Sequence, residues 1–171
     1  MKRIIFLDID GCVNSDNWYT KTRGKQGDFD PNVIKRLNTL EPYGVEVVVS
    51  SSWGDDGVEQ LKNVGLKLPI IGSTDHFHTD WFCRGNEIEK WIHDNLGGLG
   101  TKYGYDENGD PCYKKRYKDT DVDYEYVILD DDADMLLGQK DNFIHVDRWT
   151  GITDVDIKLA KTILKCDEQK K

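Results

Sequence analysis

Two short apolar runs constrain this chain more than any other feature: RIIFL at residues 3–7 and VEVVV at 45–49. Runs so rich in β-branched residues suit strands covered on both faces, and strands covered on both faces belong to parallel sheets. YEYVIL (124–129) and NFIHV (142–146) read as two further strands, and LPII (68–71) as a short fifth. Between them the apolar spacing turns helical. Asp30 caps a helix that starts at Pro31 and carries Val33, Ile34, Leu37 and Leu40 on one face. Asp55 or Asp56 starts a second, with Val58, Leu61 and Val64, ended by Gly65. Ile88, Trp91 and Ile92 mark a third, stopped by Gly97 and Gly98. Asp154 opens a fourth, with Ile157, Ala160 and Leu164 inward. This alternation predicts an α/β fold: a three-layer sandwich around a central, mainly parallel sheet.

Residues 97–123 break the pattern. They are rich in Gly, Tyr and charge, and Asn108-Gly109 between tyrosine-bearing flanks is a two-residue hairpin signal. DENGD (106–110) is no calcium loop, because its glycine falls too early and Tyr117 stands where a glutamate is required. We therefore expect one domain over 1–171, with 97–123 a small β-hairpin excursion within it. A chain of 171 residues can bury a sizeable core, and a make-up of 37% hydrophobic and 32% charged residues is that of a globular protein. A net charge of −9 argues against a surface made for non-specific nucleic-acid binding. Four apolar residues after Lys2 and Arg3 are too few for a secretory signal, and no stretch is long enough to span a bilayer. Cys12, Cys83, Cys112 and Cys166 lack metal-site spacing and read as reduced thiols, so a cytoplasmic location is expected.

The functional signal lies where the strands end. In an open parallel sheet, ligands bind beyond the carboxyl ends of the strands. The first strand runs into Asp8-Ile9-Asp10-Gly11, the second into Ser50-Ser51-Ser52-Trp53, and a later one into Asp130-Asp131-Asp132, with Asp134 beyond. Each cluster alone is more often a cap, a loop or a solvated turn. If the strands are adjacent, all three meet at one crest. Carboxylates crowded together repel unless a cation joins them, and hard oxygen ligands suit Mg²⁺.

FLDIDGCVN, VVVSSSW, the arginine of CRGNEIEKWI and VILDDDADM together resemble the four ordered motifs of the haloacid dehalogenase (HAD) superfamily of phosphohydrolases. The resemblance is nearest to the small HAD domains of Swiss-Army-knife RNA repair proteins, which share S-S-x-W, an arginine before G-x-E-I-x-x-W, and L-D-D-D. DRWTGIT (147–153) is similar to their closing segment. The resemblance implies a HAD-like Rossmannoid fold and a Mg²⁺-dependent phosphatase working through an aspartyl phosphate. It makes Asp8 the nucleophile and Asp10 the acid/base. Asp8, the main-chain carbonyl of Asp10 and Asp131 would be metal ligands, with Asp130 next. Asp132 and Asp134 would act through water or orient the loop. Ser50 would donate to a phosphoryl oxygen, with Ser51 as the alternate, and Arg84 would supply fixed positive charge. The superfamily more often places a lysine there.

Neither gap between the first three motifs accommodates a full cap domain, so an open site is expected, suited to large phosphorylated substrates such as a nucleotide or a nucleic-acid end. Trp53, with Trp18, Trp81 and Trp149 near the other motifs, is placed to stack a base, although packing of loops on the sheet explains such rings as well. Lys114, Lys115 and Arg116, within YKKRYK (113–118), are candidate phosphate contacts, against the plainer reading of a solvated strand. DHFHTD (75–80) is too compact to converge on a metal. No membrane association and no protein partner can be inferred. A response-regulator-like phospho-acceptor module and a catalytically silent nucleic-acid-binding domain are the rival functions. The former requires its acceptor after the third strand and a lysine after the fifth, and this chain has neither.

Overall fold

The computed structural model describes residues 1–23, 29–76, 83–96 and 122–166, together with the main chain of 100–105 and 111–116. Five strands, β1 (Lys2–Leu7), β2 (Val45–Val49), β3 (Ile70–Ser73), β6 (Tyr124–Asp130) and β7 (Phe143–His145), form one sheet in the order β3-β2-β1-β6-β7. Every pairing in it is parallel. The apolar runs therefore do what their composition requires: Ile4 to Leu7 and Val47 to Val49 are fully buried.

Side chains alternate across the sheet, and each set meets its own helices. Ile5, Leu7, Val45, Val47, Val49, Val127 and Leu129 pack with α2 (Pro31–Asn38), α3 (Gly54–Asn63) and α5 (Asp154–Ile163). Ile4, Phe6, Val48 and Ile128 face the other way, onto Ile88, Ile92 and Leu96 of α4 (Arg84–Leu96). Phe6 meets Trp91 and Tyr126 edge-on, at centroid distances of 5.5 and 5.9 Å. Three layers and an α/β fold result, as the periodicity predicts. A second sheet pairs β4 (Gly100–Tyr105) with β5 (Pro111–Arg116) antiparallel, from Gly100↔Arg116 to Tyr105↔Pro111. This is the expected β excursion. Its Asn108-Gly109 signal lies outside the described residues, as do Gly97 and Gly98.

Local signals hold with small shifts. Asp30 caps α2 by accepting from the Asn32 N–H at 2.8 Å, with Pro31 at the first position. Helix α3 starts at Gly54, ahead of Asp55 and Asp56, and α5 begins at Asp154 behind a Thr153–Asp156 capping box. A short helix, α1 (Asp16–Lys21), stands directly after the first motif, where the apolar spacing gives no warning because none of its residues is buried. Arg3, although charged, is buried in β1: its Nε donates to the Leu164 carbonyl at 2.8 Å and Nη2 to that of Lys165 at 3.2 Å. It thereby satisfies carbonyls at the end of α5 that the helix cannot.

Candidate active site

The register of the sheet assembles the site. Leu7 is paired with Val49 on one side and Leu129 on the other, so the next residues, Asp8, Ser50 and Asp130, stand level at the carboxyl ends of three adjacent strands. Two main-chain bonds tie that row together, Asp8 N–H to the Leu129 carbonyl at 3.0 Å and Ser50 N–H to the Leu7 carbonyl at 2.8 Å. Residues far apart in sequence become neighbours because parallel strands in register must end together.

Beyond Leu7 the chain turns sharply. The Ile9 carbonyl accepts from the N–H groups of Cys12, Val13 and Asn14, at 3.2, 2.8 and 3.2 Å. Gly11 takes φ +76°, and a Cβ built on it would lie 2.4 Å from Asp131 Cγ. Glycine is required twice over, for the left-handed backbone and for space. The turn separates the two aspartates. Asp8 faces a pocket of charge formed with Arg84, Ser51, Asp130 and Asp131. Asp10 looks aside, its Oδ2 accepting from Trp53 Nε1 and its Oδ1 from Asn14 Nδ2, both at 2.8 Å.

Around Asp8 the charges are closely balanced. Arg84, the first residue of α4, sets Nη2 3.7 Å from Asp8 Oδ1, Nε 3.4 Å from Asp130 Oδ2 and Nη1 3.7 Å from Glu87 Oε2. These are ion-pair distances rather than good hydrogen bonds, so the guanidinium retains donor capacity. Its main-chain N–H is held by Asp134 Oδ2 at 2.9 Å, which locks the start of α4 to the loop after β6. Asp134 is thus an orienting residue. Burial first, and the Asp130 charge second, raise the Asp8 carboxyl, against the opposing pull of Arg84 and Ser51. Burial raises Asp130 as well, with Asp131 and Asp134 adding to it. Asp131 is raised chiefly by burial and is hydrogen-bonded to Asp8, a contact between two carboxyl groups that needs a proton or a cation.

A divalent ion suits this donor set. Ligand atoms of Asp8, Asp131 and Cys12 lie within 4.8 Å of one another, Asp130 Oδ2 is buried without a hydrogen-bond donor, and the crowded carboxylates favour a positive charge. Burial, then the nearby carboxylates, push the Cys12 thiol well up, so it packs beneath them as a neutral group. The carboxylate of Asp10 is not in that group and is engaged by Trp53 and Asn14. Any contact from Asp10 to an ion falls to its main chain.

Several side chains differ from their expected places. The hydroxyl bonded to Asp8 is that of Ser51, whereas Ser50 Oγ is buried with no partner. The Trp53 indole, read either as a ring that stacks a base or as one that packs its loop, donates to Asp10 and meets Phe29 edge-on at 5.8 Å. The side chains of Lys114, Lys115 and Arg116, and all of Trp81, lie outside the described residues. Sequence reasoning passed over Asn14, Cys12 and Arg148. Arg148 donates from Nη1 to Asp131 Oδ2 at 3.1 Å, and His145 Nε2 donates to the Asp131 carbonyl at 2.7 Å. The DRWTGIT segment was the available signal: its Ile152 N–H reaches the Cys12 carbonyl at 3.1 Å, closing this turn onto the first motif.

No helix among the described residues is long and apolar enough to cross a membrane. No curated protein and no solved structure matches the chain. A family model does, that of the HAD domain in Swiss Army Knife RNA repair proteins, over residues 4–104. The match takes in Asp8, Asp10, the serine cluster and Arg84 and stops before β6, whose acidic cluster is joined to them by the sheet register. More than half of the chain is matched, and the protein belongs to this family of HAD domains.

Proposed function

We propose that the chain acts as one domain, with 97–123 inserted in it, and hydrolyses phosphate monoesters with Mg²⁺ through an aspartyl phosphate on Asp8. The observation that carries this reading is the division of labour between the two aspartates. One carboxylate is buried among a guanidinium, a hydroxyl and two further carboxylates, while the other is held apart by its own donors.

In this reading an Asp8 oxygen attacks phosphorus in line, and the bond from phosphorus to the ester oxygen breaks. Asp10 gives its proton to that departing oxygen. Asp10, now a carboxylate, takes a proton from water as the water oxygen attacks the phosphoryl group, releasing Asp8 and inorganic phosphate. Arg84 and the Ser51 hydroxyl stabilise charge on the equatorial oxygens. Mg²⁺, held by Asp8, Asp131 and the Asp10 main chain with Asp130 beside them, would offset the carboxylate charge and that of the phosphoryl group. The same steps serve a phosphotransferase if an alcohol replaces water. Gaps too short for a full cap domain between the first three motifs and a family named for RNA repair support a nucleotide or a nucleic-acid end as the target, and a reducing, cytoplasmic setting agrees with the free thiols of Cys12, Cys83 and Cys166.

The test is hydrolysis of an aryl phosphate with and without Mg²⁺, followed by acid quenching and mapping of covalent phosphate. Mg²⁺-dependent turnover with phosphate on Asp8 is expected. Turnover indifferent to Mg²⁺, or phosphate on another residue, refutes the mechanism, and failure on every phosphorylated substrate of a broad panel marks a silent binding domain. A second experiment concerns Trp53. Trp53→Phe keeps a ring against Phe29 and removes the donor to Asp10, so kcat should fall by about tenfold, the value of one charge-assisted hydrogen bond, with KM nearly unchanged. An unaltered kcat would show that the indole does not position Asp10.

A further inference from the structure

Two concavities open on Asp10, one on each side. The larger, about 460 Å³, is lined by Ser52, Trp53, Asp56 and Gln60 and has no basic residue in its wall. The smaller, about 250 Å³, is lined by Gly11, Asn14, Asp16, Tyr19 and Arg148. Its far wall is built from two segments laid side by side. Asp16 N–H donates to the Arg148 carbonyl at 3.1 Å and Asn17 N–H to that of Trp149 at 3.2 Å. Helix α1, capped by Ser15, thereby joins the turn of DRWTGIT into one rim.

The side chains on that rim are fixed in place yet open to solvent. Arg148 is pinned by Asp131 at 3.1 Å and by Asp16 Oδ2 at 3.4 Å, while its side chain remains 60% exposed. Tyr19 is 50% exposed. A guanidinium held flat by two carboxylates and a half-free phenol offer planar faces at little ordering cost. The charge of the smaller concavity also selects. Asp10 and Asp16 outnumber Arg148, so a second phosphate or a sulfate is poorly received there. A neutral planar group that donates hydrogen bonds to Asp16 is well received.

We propose that Tyr19 and Arg148 form the leaving-group subsite and that it takes a nucleoside, making nucleoside monophosphates or the terminal nucleotide of a strand better substrates than sugar or aliphatic phosphates. This rests on the reading of Asp10 as the acid that protonates the leaving oxygen, since the subsite begins at Asp10. Trp149, 57% exposed and next to Arg148, extends the same rim toward whatever follows the first nucleoside.

The experiment compares kcat/KM for a nucleoside monophosphate, a short oligonucleotide with a terminal phosphate, and glycerol phosphate, in the wild type, Tyr19→Ala and Tyr19→Phe. The wild type should prefer the nucleotides by about tenfold or more, as expected for stacking of one base. Tyr19→Ala should erase most of that preference through KM, and Tyr19→Phe should retain it. Mononucleotide and oligonucleotide rates tell the two nucleoside sources apart. Equal losses on all three substrates, or no nucleotide preference, overturn the proposal. In parallel, calorimetric binding of an unphosphorylated nucleoside to the wild type and Tyr19→Ala needs no turnover. Tyr19-dependent nucleoside binding without hydrolysis would sustain the subsite and refute the phosphatase. Hydrolysis without such binding would do the reverse.

Discussion

Replacing Asp8 with asparagine is expected to lower turnover by about 10⁴-fold or more, as loss of a nucleophile does, and at the same time to raise the melting temperature of the metal-free protein. The two effects share a cause. Burial and the Asp130 charge push the Asp8 carboxyl from its ordinary 3.8 up to about 8. Between those values the folded protein holds a proton that the unfolded chain has released, so stability is fully present below about pH 4 and is lost as pH rises through about 8. Asparagine has the same shape and no charge to desolvate. At pH 8 the variant should be more stable by about 1–3 kcal/mol, or roughly 2–4 °C per kcal/mol in a domain of this size, and the gap should close toward pH 5. Thermal unfolding with a chelator at both pH values measures this, and a gap independent of pH would show that Asp8 carries no such penalty. Mg²⁺ competes with the same proton, so its stabilisation of the wild type should grow from pH 5 to pH 8 and shrink in the variant.

Gly11→Ala is expected to damage the site although the residue replaced carries no charge of its own. The new methyl would meet Asp131 Cγ and Oδ2 at 2.4 Å and Oδ1 at 2.8 Å, on a residue whose φ is +76°. The left-handed backbone costs about 1–2 kcal/mol for an alanine, and the overlap forces Asp131 off Arg148 and Asp8. The Mg²⁺ concentration for half-maximal turnover should rise by about 10–100-fold, the usual effect of displacing a ligand through its support, and the melting temperature should drop by a few degrees. Titration of activity with Mg²⁺ reads this directly. An unchanged Mg²⁺ requirement would mean that Asp131 does not hold the ion.

The strands and the crest were legible in the chain because burial on both faces leaves an apolar signature that no other element shares. RIIFL and VEVVV lie where their composition says, and Asp8, Ser50 and Asp130 end their strands level because parallel pairing starts from equivalent residues. Helix α1 was not legible, since a surface helix without buried side chains has no periodic pattern to reveal it. Asp134 was readable only as one more acid of a cluster until the start of α4 was seen to donate to it.

The partners of each site residue follow a different logic. Asp10 depends on Trp53 and Asn14, Asp131 on Arg148 and His145, and Asp8 on Ser51 rather than Ser50. These pairings turn on how the turn at Ile9–Asn14 leaves β1 and on which loops the sheet order makes adjacent. Hydrophobic patterning is a property of neighbours along the chain, and it suffices for strands, layers and the place of the chemistry. Hydrogen-bond geometry varies with separations of an ångström between segments as much as 43 residues apart, and only the folded packing sets those.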